Sequence, residues 1–288
     1  MSAVYARRRI TNIIALILSA CATLLGLVFL VWILWITAEN GFGALKLSLF
    51  TKITAYGADG GLSNAIVGSL EMDLMALLIC APIGVLAGTY LAEYAHTTRL
   101  GSSIRFLNDI LLSAPSIVLG LFVYVIVVVP TTALTGGQIT FSGFAGSVAL
   151  ALIGLPVIVR TTDEMLQLVP GTLREAALSL GIPQWKLTMQ VLMRAALSGI
   201  LTGVLLALAR LAGETAPLLF TAFGNTYMTI HPLDKMASMP QTIYQYTNDP
   251  DPALHAIAWA GALLITLFVL ALSLLTRIVF SRKKVSYE

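Results

Sequence analysis

IIALILSACATLLGLVFLVWILWIT, residues 13–37, contains no charged side chain and decides the class of fold. A helix needs about 20 apolar residues to cross the hydrocarbon of a bilayer, and this block is longer than that. Arg7, Arg8 and Arg9 stand just before it, and a basic cluster there favours a cytoplasmic start. A cleaved signal peptide carries a shorter apolar run of about 7–15 residues. Leu18-Ser19-Ala20-Cys21 has the form of a lipoprotein cleavage box. A cut there would leave 22–36 as a bare apolar start, so the uncleaved anchor is the preferred reading.

Outward from this block the same character continues. Of 288 residues, 58% are apolar and 11% charged, against about 25% charged in a soluble domain. Further apolar blocks lie at about 72–94, 115–133, 144–163, 197–223 and 254–278. They predict an all-α polytopic membrane protein with about six spans. Residues 1–12 and 281–288 become cytoplasmic tails, the glycine-rich 38–63 an exposed external loop, and 64–280 the body. Basic residues test this orientation. Arg7, Arg8, Arg9, Arg99, Arg105, Arg160, Arg174, Lys186, Arg194, Arg277, Arg282, Lys283 and Lys284 fall inside, and Lys46, Lys52 and Lys235 outside, the bias expected of such a protein. A net charge of +3 is too small and scattered to suggest nucleic acid. Cys21 and Cys80 sit in apolar runs without ligand or pairing spacing and read as small apolar fillers.

The longest inside segment is 164–196. Thr172-Leu173-Arg174-Glu175 has the pattern of a capping box, which predicts a short helix over 173–180. Gly181 suits a left-handed helix end, and Pro183 the first turn of the next helix. The segment therefore reads as helix, sharp turn, helix on the cytoplasmic face.

Glu175-Ala176-Ala177, three residues, then Gly181 resembles the EAA loop of bacterial ABC-importer permeases, whose short helix docks on an ATP-hydrolysing subunit. The usual downstream Ile-x-Leu-Pro is replaced by Val191-Leu192-Met193-Arg194. Residues 111–118 (LLSAPSIV), 209–220 (ARLAGETAPLLF), 64–69 (NAIVGS) and 90–94 (YLAEY) resemble the phosphate-importer permeases of the PstA type. Gly213-Glu214-Thr215-Ala216-Pro217 points to PstA rather than its partner PstC. The resemblance implies a type I ABC importer permease fold. It also implies a homologous PstC-like permease, two copies of a cytoplasmic ATPase subunit and an external phosphate-binding protein as partners. The setting it implies is a bacterial plasma membrane. ATP and magnesium would be bound by the ATPase, and no cofactor by this chain. Within the chain no lysine follows a glycine, so a Gly-Lys phosphate loop is absent, and no metal-ligand motif appears.

Arg210 falls near the middle of the fifth span, with Glu214 four residues on, a spacing that puts both on one face of a continuous helix. A charge at mid-bilayer costs about 2.5–3.5 kcal/mol and marks a pathway or a paired interior site. Arginine offers a planar fork that matches phosphate oxygens. Arg210 is therefore the expected substrate contact, with Glu214 holding it when the path is empty; a purely structural Arg–Glu pair is the rival reading. Glu71 and Asp73 are expected at the outer interface, with a role at the outer mouth as the alternative. Pro82, Gly84 and Gly88 read as helix packing, or else as a hinge. His231, His255 and His96 read as solvated, and Trp32, Trp35, Trp259, Tyr90 and Tyr94 as interfacial aromatics. The external segment 224–253 is either a surface for the binding protein or a cover on the outer gate. One arginine does not separate phosphate from another oxyanion. A stand-alone carrier or channel would show an internal repeat, and none is evident.

Overall fold

The computed structural model describes residues 3–281, so Arg282, Lys283 and Lys284 of the expected C-terminal tail lie outside the described residues. Every regular element among them is a helix, apart from one isolated bridge between Phe223 and Met236, and besides a short 3-10 helix at Thr54–Asp59 all are α-helical in the main. In chain order these are α1 (Ala3–Ala44), α2 (Ser48–Thr51), α3 (Ser63–Glu93), α4 (Arg99–Ser113), α5 (Ser116–Leu134), α6 (Gly143–Gln167), α7 (Gly171–Ser179), α8 (Gln184–Leu211), α9 (Ala216–Thr221), α10 (Met239–Thr247) and α11 (Pro252–Ser281). Two of them widen into a π turn, α5 at Tyr124–Val128 and α8 at Leu187–Leu192. Six helices are long and apolar enough to cross a bilayer: α1, α3, α5, α6, α8 and α11. The chain is a multi-pass membrane protein.

The core is built around α6, of whose most apolar stretch two-thirds is buried. Its most extensive neighbour is α3. Small residues let these two backbones approach. A Cβ on Gly88 would lie 2.6 Å from the Val159 carbonyl oxygen, and one on Gly84 2.8 Å from Ile158. Gly84 and Gly88 thus serve packing, and α3 runs unbroken through Pro82.

Three apolar clusters stack along the bundle. Leu49, Leu62, Ala65, Met239 and Ile257 fill the far end. Met72, Cys80, Leu150, Ile153, Leu211 and Leu218 fill the centre. Ala92, Leu166, Ala177, Leu187 and Leu192 fill the end that carries most of the arginines, here the basic end. By contrast α1 projects almost wholly exposed, and meets the body mainly along α11, where Gly41 seats Leu263.

Four expectations need correction. Residues 38–63 are not an open loop. Leu49 and Leu62 are buried, and the Asn64 side chain ties the segment down, accepting from the Thr54 N–H (3.1 Å) and donating to the Thr54 hydroxyl (2.8 Å). The second span begins at Ser63 rather than near 72. Asp73 is therefore buried between helices instead of lying at an interface. The fifth span does not run through 197–223: α8 starts at Gln184, within the expected coupling loop, and stops at Leu211. In addition, residues 99–113 form the amphipathic helix α4, capped by the Thr98 hydroxyl accepting from the Gly101 N–H. Its Arg105 grips Asp163 of α6 through two hydrogen bonds of 2.7 and 3.1 Å and also donates to the Leu91 carbonyl.

Candidate functional site

The break between α8 and α9 lies at half the depth of the bundle. Gly154, at the middle of α6, packs against Leu211, the last residue of α8, and against Cys80 near the middle of α3. Residues 212–215 turn there without leaving α8's end bare: the N–H groups of Ala212, Gly213 and Glu214 donate to the carbonyls of Leu208, Arg210 and Leu211. The chain then enters α9, with Pro217 in its first turn. Helix α9 is seated on α5, where a Cβ on Gly120 would lie 2.5 Å from Pro217 Cα, so only glycine fits. Non-helical backbone at this depth is tolerated where it is buried in protein or lines a water-filled path.

Arg210 occupies the last turn of α8, where a cation is favoured by the helix dipole. Glu214 is in the turn and not on the helix, which corrects the expectation of one shared helical face. The two still meet, Arg210 Nε lying 3.7 Å from Glu214 Oε1, beyond hydrogen-bond distance. Among the described residues the Arg210 side chain makes no hydrogen bond. It is 40% exposed, and Glu214 16%. The result is a guanidinium at mid-depth, held by long-range attraction, with its donor fork unfilled.

At the basic end the expected coupling loop folds as helix, turn, helix, but its details differ. Thr172 is not the cap: Pro170 takes that position, and the Leu173 N–H donates to the Pro170 carbonyl. Gly181 adopts φ +74°, a conformation that costs other residues about 1–2 kcal/mol. Pro183 immediately precedes α8. Glu175, Ala176 and Gly181 are exposed, together with Leu178, Leu180 and Trp185. Ala177 is buried at 7% against Leu166, Val169 and Leu192, so it fastens α7 to the bundle and offers no outward surface.

A contact that sequence reading missed joins two of the quoted strings. Arg174 Nη2 donates to Glu93 Oε1 (2.7 Å) and to the Leu166 carbonyl (2.7 Å), and Nη1 donates to the Val169 carbonyl (3.0 Å). Glu93 ends α3, and only 3% of its side chain is exposed. A buried glutamate at the end of an apolar span requires a cation, and that requirement was the available signal. At the far end Lys235 lies over the Phe141 and Phe223 rings (5.9 and 5.3 Å), which stack at 4.5 Å, and Phe223 holds φ +63°. Glu71 is half-buried there. His255 Nε2 lies 2.6 Å from the Asp249 carbonyl oxygen, and His231 stays exposed. Residues 236–242 tuck into the body, where the Met239 N–H donates to the Ser69 hydroxyl (2.7 Å), leaving Tyr227 and Ile230 outermost.

Comparison with known proteins agrees with this architecture. Residues 82–285 match the family described as Binding-protein-dependent transport system inner membrane component. The chain is 54% identical over 282 residues to the Phosphate transport system permease protein PstA of Xylella fastidiosa, covering 98% of this chain and 96% of that one. It is 49% identical to the PstA of Yersinia pestis, covering 96% and 92%, and 34% identical to PstA 1 of Mycobacterium tuberculosis, covering 96% and 92%. In fold it is similar to a chain of the MetNI methionine ABC transporter solved in inward-facing conformations, with a TM-score of 0.61, 20% identity, and coverage of 76% of this chain and 95% of that one. With six apolar helices, a broken fifth span and relatives alike along nearly their whole length, the chain belongs to the inner membrane components of binding-protein-dependent transport systems and, among them, to the PstA-type permeases.

Proposed function

We infer that this chain is a membrane-spanning permease subunit of an ATP-driven importer and translocates inorganic phosphate into the cell. The observation that carries the reading is Arg210, a mid-depth guanidinium with an unfilled donor fork beside a break in its helix. A phosphate dianion satisfies such a fork bidentately. Glu214, 3.7 Å away, keeps the cation from an unpaired state and weakens the hold on the anion, so that it can leave again. Relatives named for phosphate transport favour phosphate over other oxyanions, and a binding-protein-dependent family favours an ATP-driven importer over a stand-alone carrier.

The energy comes from a partner. The sequence has no Gly-Lys phosphate loop, so ATP and magnesium belong to two copies of a cytoplasmic ATPase subunit. The exposed surface of α7 and its turn, with Glu175, Ala176, Leu178 and Gly181, is where one copy docks. A homologous PstC-like permease completes the pathway, and an external phosphate-binding protein delivers substrate to the far end. The setting is the bacterial inner membrane, with both termini cytoplasmic.

The test is uptake of radiolabelled phosphate into liposomes holding this chain with its second permease, ATPase and binding protein. ATP-dependent uptake in wild type, and its loss with Arg210→Ala at equal protein levels, is the expected result. Uptake without the ATPase would make the chain a carrier or channel and overturn the reading.

A further inference from the structure

Asp73 is a carboxyl group that the transport reading does not use. It lies ten residues beyond Ser63 in α3, is 6% exposed, and makes no hydrogen bond or ion pair among the described residues. It borders a cavity of about 320 Å³ between α3, α10 and α11, walled by Ile66, Leu70, Leu264 and Phe268. The adjacent Ser69 hydroxyl already accepts from the Met239 N–H. Among the described residues no lysine or arginine lines the cavity. Asp73 pairs with no arginine of the described residues: Arg105, Arg160 and Arg174, at the basic end, bind Asp163, Glu164 and Glu93, and Arg210 stands 3.7 Å from Glu214.

We propose that this cavity receives a lysine or arginine side chain from a membrane span of the second permease, locking the two permeases together. The inference rests on the reading above that a second permease exists. Carboxylates within a bilayer pair with cations or face water-filled space, and the walls here, apolar but for Ser69, offer no cation among the described residues. A volume near 320 Å³ leaves room for one long side chain and its stem. A lipid ammonium is the weaker occupant. At 1.5 Å per residue Asp73 lies about 15 Å along α3 from its start, below the level of headgroups. Ala212 forms part of the cavity wall, so the inserted side chain bears on the turn that carries Arg210 and Glu214. Assembly and the substrate contact thereby share one support.

The test places a benzophenone side chain at Leu264 in the whole complex, in native membranes. Photolysis is expected to join this chain to a lysine- or arginine-bearing span of the second permease, with a yield at least fivefold lower in Asp73→Asn. Because Asp73→Asn could act through folding, the second arm pairs Asp73→Lys with an acidic replacement of the cross-linked cation, and restored co-purification is expected. Adducts to lipid alone, or partner adducts indifferent to Asp73→Asn, would overturn the inference and leave the importer reading intact. A wild-type chain that purifies with no second permease would overturn both.

Discussion

Arg174 and Arg210 are both paired with a glutamate, yet the two pairs differ in every respect that chemistry notices. Arg174 touches Glu93 at 2.7 Å and two carbonyl oxygens besides, with the carboxylate almost wholly buried. Arg210 stands 3.7 Å from Glu214, makes no hydrogen bond among the described residues, and is far more open. A satisfied guanidinium joins elements; an unsatisfied one is available to an anion. The first pair therefore ties α7 to the end of α3, while the second leaves the guanidinium's donors open.

The largest effect is expected at the satisfied pair. Glu93→Ala strands a partly buried cation. Breaking buried pairs costs about 3–5 kcal/mol, which the quarter exposure of Arg174 reduces to about 2–3. Thermal unfolding of the purified chain in detergent should show that loss, and ATP hydrolysis in the complex should no longer follow phosphate delivery. Arg210→Ala should do the reverse, leaving the unfolding midpoint in place while uptake falls about 10–100-fold, the worth of charged hydrogen bonds. Equal destabilisation by both variants would erase the distinction. Next comes Gly181→Ala. Its φ of +74° makes the change cost about 1–2 kcal/mol, and binding of the ATPase subunit to the complex should weaken about tenfold. Smallest is Arg210→Lys, which keeps charge but loses the fork. Uptake about 3–10-fold below wild type is expected, and a wild-type rate would show that the fork is not used.

The spans were legible because uninterrupted apolar runs leave few alternatives, and Gly181 because its conformation excludes other residues. The break after Leu211 was not, since the run from 197 to 223 stays apolar on both sides of it. Only Gly213 and Pro217 mark it, and both are common in spans. Helix α4 escaped because Arg99, Arg105 and Asp109 look like loop residues until the grip on Asp163 is seen. Thr172 had the capping pattern, but Pro170 starts the helix earlier. Which way Ala177 faces depends on α8 folding back over it, a long-range matter that local pattern does not encode. Asp73 was misplaced for the same reason: its burial is made by α10 and α11, far away in sequence.

The π turn at Leu187–Leu192 sets the phase of the long helix that links α7 and its turn to Arg210. One extra residue is absorbed there, and each residue of an ordinary helix advances the face by about 100°. Removing a single residue from the turn would let it tighten into regular helix with the phase beyond it nearly kept, whereas removing one between Met193 and Arg210 would rotate Arg210 by about 100° relative to Gly181 and α7. Among relatives, insertions and deletions in this helix should therefore be rarer than substitutions, and where one occurs on this stretch a compensating one should be found before Arg210. The turn acts as a keyway, holding the angle between α7 and Arg210.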